Sequence, residues 1–171
     1  MDIREERPED HQSILDVNIS AFGGTDEAVL IETLREDGDI RLAMVAVEYG
    51  EIVAHILFSD LKVTSNDQKT KISAVTLAPI CVAPTHQRLG IGSELMRQAI
   101  EKCEEMDVEA IFVLGEDNYY TRFGFSAEKA ECTKSSFSGP FFMVLDLKQG
   151  IFNDFQGSAR YPDAFSAFEK I

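Results

Sequence analysis

The stretch Ala74-Val75-Thr76-Leu77-Ala78-Pro79-Ile80-Cys81-Val82-Ala83-Pro84-Thr85-His86-Gln87-Arg88-Leu89-Gly90-Ile91-Gly92-Ser93-Glu94-Leu95-Met96-Arg97-Gln98-Ala99 decides the fold. An apolar run ends at Pro84. A short loop follows, with Gln87 and two glycines one residue apart. Leu95, Met96, Ala99, Ile100 and Cys103 then recur at spacings of three and four, which predicts an amphipathic helix. A strand feeding a glycine-rich turn at a helix N-terminus is a device for holding phosphate. The first helical amides lack partners inside the helix, and the dipole leaves partial positive charge there.

Two well-known glycine loops are excluded. No Gly-x-x-x-x-Gly-Lys-Ser/Thr run is present. A dinucleotide fingerprint would need a third glycine where Leu95 stands. What remains is Gln87-Arg88-Leu89-Gly90-Ile91-Gly92, with Ser93 able to add a hydroxyl or to cap the helix.

Working outward, Asp2 to Glu6 reads as a short strand, and Pro8-Glu9-Asp10 as a helix start. Ile14, Val17 and Ala21 give that helix its stripe, and Gly23-Gly24 ends it. Thr25 is the expected N-cap of a second helix. Val29, Leu30 and Leu34 are its expected buried side, and Gly38 its stop. From Arg41 the period changes to that of a strand buried on both faces. Tyr49-Gly50 turns it into a second strand, Ile52 to Leu61. Thr64 to Lys71 reads as a surface loop and Lys71 to Val82 as the next strand. Pro79 inside it cannot donate to a ladder, so it marks an edge, a bulge or the end of pairing. Ala110 to Leu114 is a short buried strand. Gly115-Glu116-Asp117 opens a short helix, Phe125 begins another strand, and Phe141 to Leu147 is a further one. The aromatic tail from Gly150 is expected to pack on the rest and to be partly helical. The order β-α-α-β-β-β-α-β-α-β-β predicts an α+β (α/β) fold with a mixed central sheet and helices on both faces.

With 171 residues, 44% of them hydrophobic and 27% charged, a single domain spanning residues 1–171 is expected. Residues 150–171 form its C-terminal extension. No apolar run approaches the ~20 residues of a membrane span, and the charged start Met1-Asp2-Ile3-Arg4-Glu5-Glu6-Arg7 is not a signal peptide. Cys81, Cys103 and Cys132 are an odd, scattered set without a Cys-x-x-Cys. This predicts a reduced, cytoplasmic setting and no cysteine-based metal site. Three dispersed histidines add no metal pattern. The net charge of −14 argues against a nucleic-acid partner and is compatible with a cationic amine.

The second informative stretch is Gly115-Glu116-Asp117-Asn118-Tyr119-Tyr120-Thr121-Arg122-Phe123-Gly124-Phe125. Gln87-Arg88-Leu89-Gly90-Ile91-Gly92 resembles the Gln/Arg-x-x-Gly-x-Gly/Ala signature of the GCN5-related N-acetyltransferase (GNAT) superfamily. Tyr120, four residues before Gly124, resembles that family's Tyr-x-x-x-Gly-Phe element. The fuller stretch, with Gly157 to Phe165, is similar to a bacterial subgroup of YhbS-like N-acetyltransferases, and the resemblance covers most of the chain.

The resemblance implies a GNAT fold whose fourth strand splays, with a bulge near Pro79, where acetyl-CoA enters. It implies that Gln87, Arg88, Leu89, Gly90, Ile91, Gly92 and Ser93 hold the diphosphate, mainly through backbone amides. The main chain of Ile80, Cys81 and Val82 would pair with the pantetheine arm, with one amide near the thioester oxygen. Tyr120 would be the general acid for the departing thiolate, while Tyr119 packs or lines the substrate cleft. The implied reaction moves an acetyl group from acetyl-CoA to a primary amine by direct attack in a ternary complex. A catalytically silent acyl-CoA-binding module is the alternative, and a homodimer is compatible with the family. Many members carry a glutamate on the strand before the loop, but no Asp or Glu lies between Lys71 and Gln87. His55, Glu116, Asp117 or water remain as the base, although a buried hydrogen-bonded role for His55 is favoured. His86 is expected to brace the loop.

Overall fold

The computed structural model describes residues 1–169; Lys170 and Ile171, the end of the expected C-terminal extension, lie outside the described residues. The chain divides into two compact units. One comprises Met1–Ser59 and Ala78–Cys103, the other Asp60–Leu77 and the chain from Glu104 onward.

In the first unit, β1 (Asp2–Glu5) pairs antiparallel with β2 (Ile40–Glu48), and β2 with the first part of β3 (Glu51–Ser65). The turn between β2 and β3 needs left-handed backbone at Tyr49 (φ 50°) and Gly50 (φ 80°), the signature of a tight hairpin. Helices α1 (His11–Phe22) and α2 (Asp26–Asp37) both stop on a left-handed glycine, Gly23 and Gly38, as their sequences predict. Two details of α2 differ from expectation. Thr25 occupies the N-cap position but its side chain makes no capping bond. Val29 is 57% exposed, and the buried side is Ala28, Leu30, Ile31 and Leu34. The buried face is therefore rotated by one residue, about 100°, at its N-terminal end. A 3-10 turn (Pro84–His86) leads to α3 (Ile91–Glu105), whose Ile91, Leu95, Met96, Ala99 and Cys103 are all buried.

The second unit contains the parallel ladder of β4 (Lys71–Val82) with β5 (Ala110–Leu114), from Ala74 opposite Ala110 to Leu77 opposite Val113. This ladder stops two residues before Pro79, as a residue without an N–H predicts. β5 pairs antiparallel with β7 (Phe142–Asp146). Between them come α4 (Asp117–Tyr120), a 3-10 turn and α5 (Ala127–Ala130). The strand expected from Phe125 is reduced to a single bridge between Ser126 and Val144. There the Ser126 hydroxyl accepts the Lys129 amide at 3.2 Å and starts α5 instead.

The tail also departs from expectation. β8 (Gly157–Arg160) pairs antiparallel with the end of β3, at residues 62–65, and parallel with the two-residue β6 (Thr133–Lys134). β3 consequently runs to Ser65 rather than Leu61. The expected loop shrinks to a turn closed by the Ser65 amide on the Thr70 carbonyl at 2.9 Å. Phe155 and Phe165 are buried, and Phe112, Phe142, Val144 and Ala159 share their unit's apolar core. Strand pairing runs β1-β2-β3-β4-β5-β7, with both parallel and antiparallel ladders. This is the mixed sheet the sequence predicts.

Candidate active site

The first unit carries the glycine loop. β4 ends at Val82, and the Gln87 side-chain amide reaches back to the Val82 carbonyl at 3.0 Å, closing the loop on its own strand. His86 contacts the Thr85 hydroxyl at 2.8 Å and the Glu48 carboxylate at 3.2 Å, the bracing role its position predicts. Arg88 (φ 63°) and Gly90 (φ 84°) are left-handed. A glycine adopts that backbone freely; another side chain does so under strain. A Cβ on Gly90 would meet nothing within 4 Å, so the glycine serves backbone shape beside open space. The first helical bond runs from the Glu94 amide to the Gly90 carbonyl at 3.1 Å, so the amides of Ile91 and Gly92 precede it. Glu94, an acid in this first turn, is engaged by Gln98 at 2.9 Å and Arg97 at 3.5 Å. Arg88, Leu89 and Gly90 are exposed, Ile91 is buried, and Gly92 and Ser93 are half-buried. The loop thus offers an open backbone surface at the positive end of a 15-residue helix, which fits a diphosphate.

Ile80, Cys81 and Val82 alternate half-buried, buried, half-buried. Burial pushes the Cys81 thiol up to about 12, against the opposing pull of the His55 amide, with the Glu27 carboxylate a smaller contributor. Cys81 is a thiol at neutral pH, not a nucleophile.

His55 is completely buried. Burial, helped by Arg35, lowers its imidazole to about 3. The Asn18 side-chain amide donates to the Ile14 carbonyl at 2.8 Å and lies 3.1 Å from His55 Nδ1. The Ile14 carbonyl requires a donor, so the nitrogen of Asn18 faces His55, Nδ1 is the acceptor, and the proton sits on Nε2. The one lone pair of this neutral ring is taken by Asn18 and burial lowers its basicity, which argues against His55 as the base. Asn18 was legible only as a polar residue beside Val17 on an otherwise apolar helix stripe.

The second unit carries Tyr120, at the end of α4. Its ring is half-buried, at 5.0 Å and near-perpendicular to Tyr119 and 5.7 Å from Phe125. Gly115 packs so closely on this ring that a Cβ there would collide with Cε2 of Tyr120. Burial, then the neighbouring Tyr119, raise the phenol to about 12, so it holds its proton at neutral pH. Tyr119 is also half-buried. Arg122 lies 4.8 Å over its ring and 5.3 Å over Phe123, bracing the turn. Gly124 (φ 99°) completes the turn, and Phe125 is buried. Glu116 and Asp117 are exposed at the head of α4. Among the described residues no group of His, Cys, Asp and Glu is arranged to hold a metal. No described helix is long and apolar enough to cross a membrane.

The family described as Acetyltransferase (GNAT) domain matches residues 2–127. The chain belongs to this family. As a GNAT member it is similar to two Escherichia coli K12 proteins named as uncharacterized N-acetyltransferases. YhbS is 28% identical over 97% of this chain and 99% of its own length. YjhQ is 37% identical over 68% of this chain, a stretch that spans only 64% of YjhQ. Among solved structures, that of E. coli YhbS in complex with CoA is 28% identical, with a TM-score of 0.85, covering 95% of this chain and 90% of that one. A GNAT family acetyltransferase from Brucella melitensis in complex with acetyl-CoA is 29% identical, with a TM-score of 0.78, covering 96% and 97%. The GNAT fold is therefore this chain's fold.

Proposed function

We propose that residues 1–171 act as one acetyl-CoA-dependent N-acetyltransferase domain, moving the acetyl group to a primary amine by direct attack. The observation that carries this reading is the loop at the start of α3, where left-handed Arg88 and Gly90 leave open backbone ahead of the helix. Two relatives that share the fold over nearly the whole chain are described with CoA or acetyl-CoA.

In this reading the residues from Gln87 to Ser93 hold the diphosphate, with most of the binding from main-chain amides. Ile80, Cys81 and Val82 hold the pantetheine arm and polarise the thioester carbonyl through a backbone amide. Holding the two substrates together is itself worth up to about 7–11 kcal/mol of barrier. Tyr120 gives its proton to the sulfur as the C–S bond breaks. Its raised pKa keeps that proton in place until the thiolate forms. A silent acyl-CoA-binding module is the second reading, and the lack of any carboxylate between Lys71 and Gln87 favours it. Thiol release separates the two. An enzyme frees CoA from acetyl-CoA in the presence of an amine, whereas a module binds acetyl-CoA and frees none.

A further inference from the structure

The second unit holds a cavity of about 420 Å³ between α5, β6 and the loop that enters β7. Its base is buried: Ala130 of α5, Thr133 of β6 and Phe142 of β7. Ala127 and Pro140 add apolar wall, and Glu131 and Ser138 stand exposed at its mouth. Apolar walls with a few placed polar groups are the usual make-up of a small-molecule site.

Those polar groups have capacity to spare. Thr133 is 1% exposed, and the side-chain partner of its hydroxyl is the Cys132 sulfur at 3.8 Å, a weak one. The Ser138 hydroxyl oxygen accepts the Ser135 amide at 2.9 Å, which leaves its O–H and a second lone pair for a ligand. The Glu131 carboxylate has no hydrogen bond or ion pair among the described residues. The neighbouring cations do not neutralise it. Lys129 is held by Asp146 at 3.0 and 3.2 Å. Lys134 is exposed and follows buried Thr133 on β6, so it points to the other side of that strand. The cavity is thus lined by one anionic side chain and, among the described residues, by no cationic one.

The cavity lies at the end of β5 where Tyr120 stands. Phe142 is opposite Leu114 in the β5–β7 ladder and stacks on Phe112 at 5.4 Å, so Phe112, Leu114 and Phe142 share one face. The Gly115 amide donates to the Phe141 carbonyl at 3.0 Å. The Tyr120 ring fills the place a Gly115 Cβ would take, on the opposite face. The β4–β5 ladder ends with Leu77 opposite Val113, so Leu114 and Gly115 carry no ladder partner from β4 among the described residues. Leu114 is accordingly 49% exposed. A ligand chain that crosses this open edge of β5 has Tyr120 at one end and the cavity at the other. The separation is one residue along the strand and one strand across, a span on the order of 10 Å.

Resting on the acetyltransferase reading, we propose that the acceptor is a linear aliphatic diamine or polyamine whose far ammonium group is held in this cavity by Glu131. The methylene chain lies on Leu114 and Phe142, and the near amine is left on the Tyr120 side for acetylation. Thr133 and Ser138 accept further hydrogen bonds from the far ammonium. Glu131 sets specificity and touches no reacting atom.

The test compares hexamethylenediamine with hexylamine, which differ only in the second amino group, in steady-state thiol release from acetyl-CoA. Wild type is run beside Glu131→Gln and, as a control on α5 outside this cavity, Glu128→Gln. Wild type should prefer the diamine. Glu131→Gln should lower kcat/KM for hexamethylenediamine about tenfold or more, and leave that for hexylamine within about twofold. A loss equal for both amines, no loss for either, the same loss in Glu128→Gln, or a wild type without preference for the diamine overturns the proposal and leaves the acetyltransferase reading standing. No turnover by wild type with either amine, or with spermidine, removes the acetyltransferase reading. Calorimetric titration with hexamethylenediamine then decides the cavity by itself: tighter binding by wild type than by Glu131→Gln supports it, and equal or absent binding overturns it.

Discussion

Replacing His55 with glutamine should reduce the acid sensitivity of this protein. The native imidazole titrates near 3 because it is fully buried, with Arg35 adding to the effect, against an ordinary value of 6.5. Between those values the unfolded chain binds one proton that the native state refuses. Stability is therefore full above pH 6.5 and falls as pH drops, by about 1.4 kcal/mol per unit, until the native ring itself protonates near pH 3. At about pH 4.5 the accumulated loss is about 2.7 kcal/mol, a large share of the ~5–15 kcal/mol typical of a folded domain. Glutamine keeps a side-chain amide opposite Asn18 and does not titrate. The assay is urea unfolding of wild type and His55→Gln from about pH 7.5 to pH 4.5. Carboxylates contribute to both curves and cancel in the difference. Wild type should lose about 2–3 kcal/mol more than the variant over that range. Parallel curves would refute a neutral buried His55, and with it the argument that this ring is a donor rather than a base.

Gly90→Val should raise the Kd for acetyl-CoA about tenfold, because a β-branched residue resists the left-handed backbone the loop requires by roughly 1–2 kcal/mol. Because a Cβ there meets nothing within 4 Å, any fall in melting temperature should reflect that backbone strain alone, about 2–4 °C per kcal/mol; calorimetric titration and a thermal melt check the two halves. Gly157→Ala should act through packing instead. A Cβ at that position would overlap the Thr64 carbonyl of the neighbouring strand and sit 2.5 Å from Cζ of Phe155. Overpacking of about 1–3 kcal/mol should lower the melting temperature by about 2 °C or more per kcal/mol, and an unchanged melt would contradict the close approach of β8 to β3.

The parts legible in the sequence were those with strong local periodicity or a special backbone requirement. The glycine stops of α1 and α2, the Tyr49-Gly50 hairpin, β4, β5 and α3 all lie where their residues place them. β8 was not legible. Gly157, Ser158, Ala159 and Arg160 alternate buried and exposed, but small side chains on the buried side give almost no apolar signal. Its partner, the end of β3, reads as loop until that pairing is known. The strand expected at Phe125 failed for the opposite reason. Phe125 is buried as its hydropathy suggests, but Ser126 caps a helix immediately after it. The glycine loop and the turn around Tyr120 stand out in the sequence because each motif is contiguous. Asn18 and His55 come from two elements, and only their burial and mutual contact single them out.

The central claim is acetyl transfer, and thiol release from acetyl-CoA with wild type and Tyr120→Phe side by side tests it most directly. The account predicts CoA release that depends on an amine. In the variant it should fall about 100-fold or more in kcat, the contribution expected of a positioned general acid, with acetyl-CoA binding retained. Acetyl-CoA binding without amine-dependent release in wild type, or an unchanged kcat in Tyr120→Phe, would contradict it.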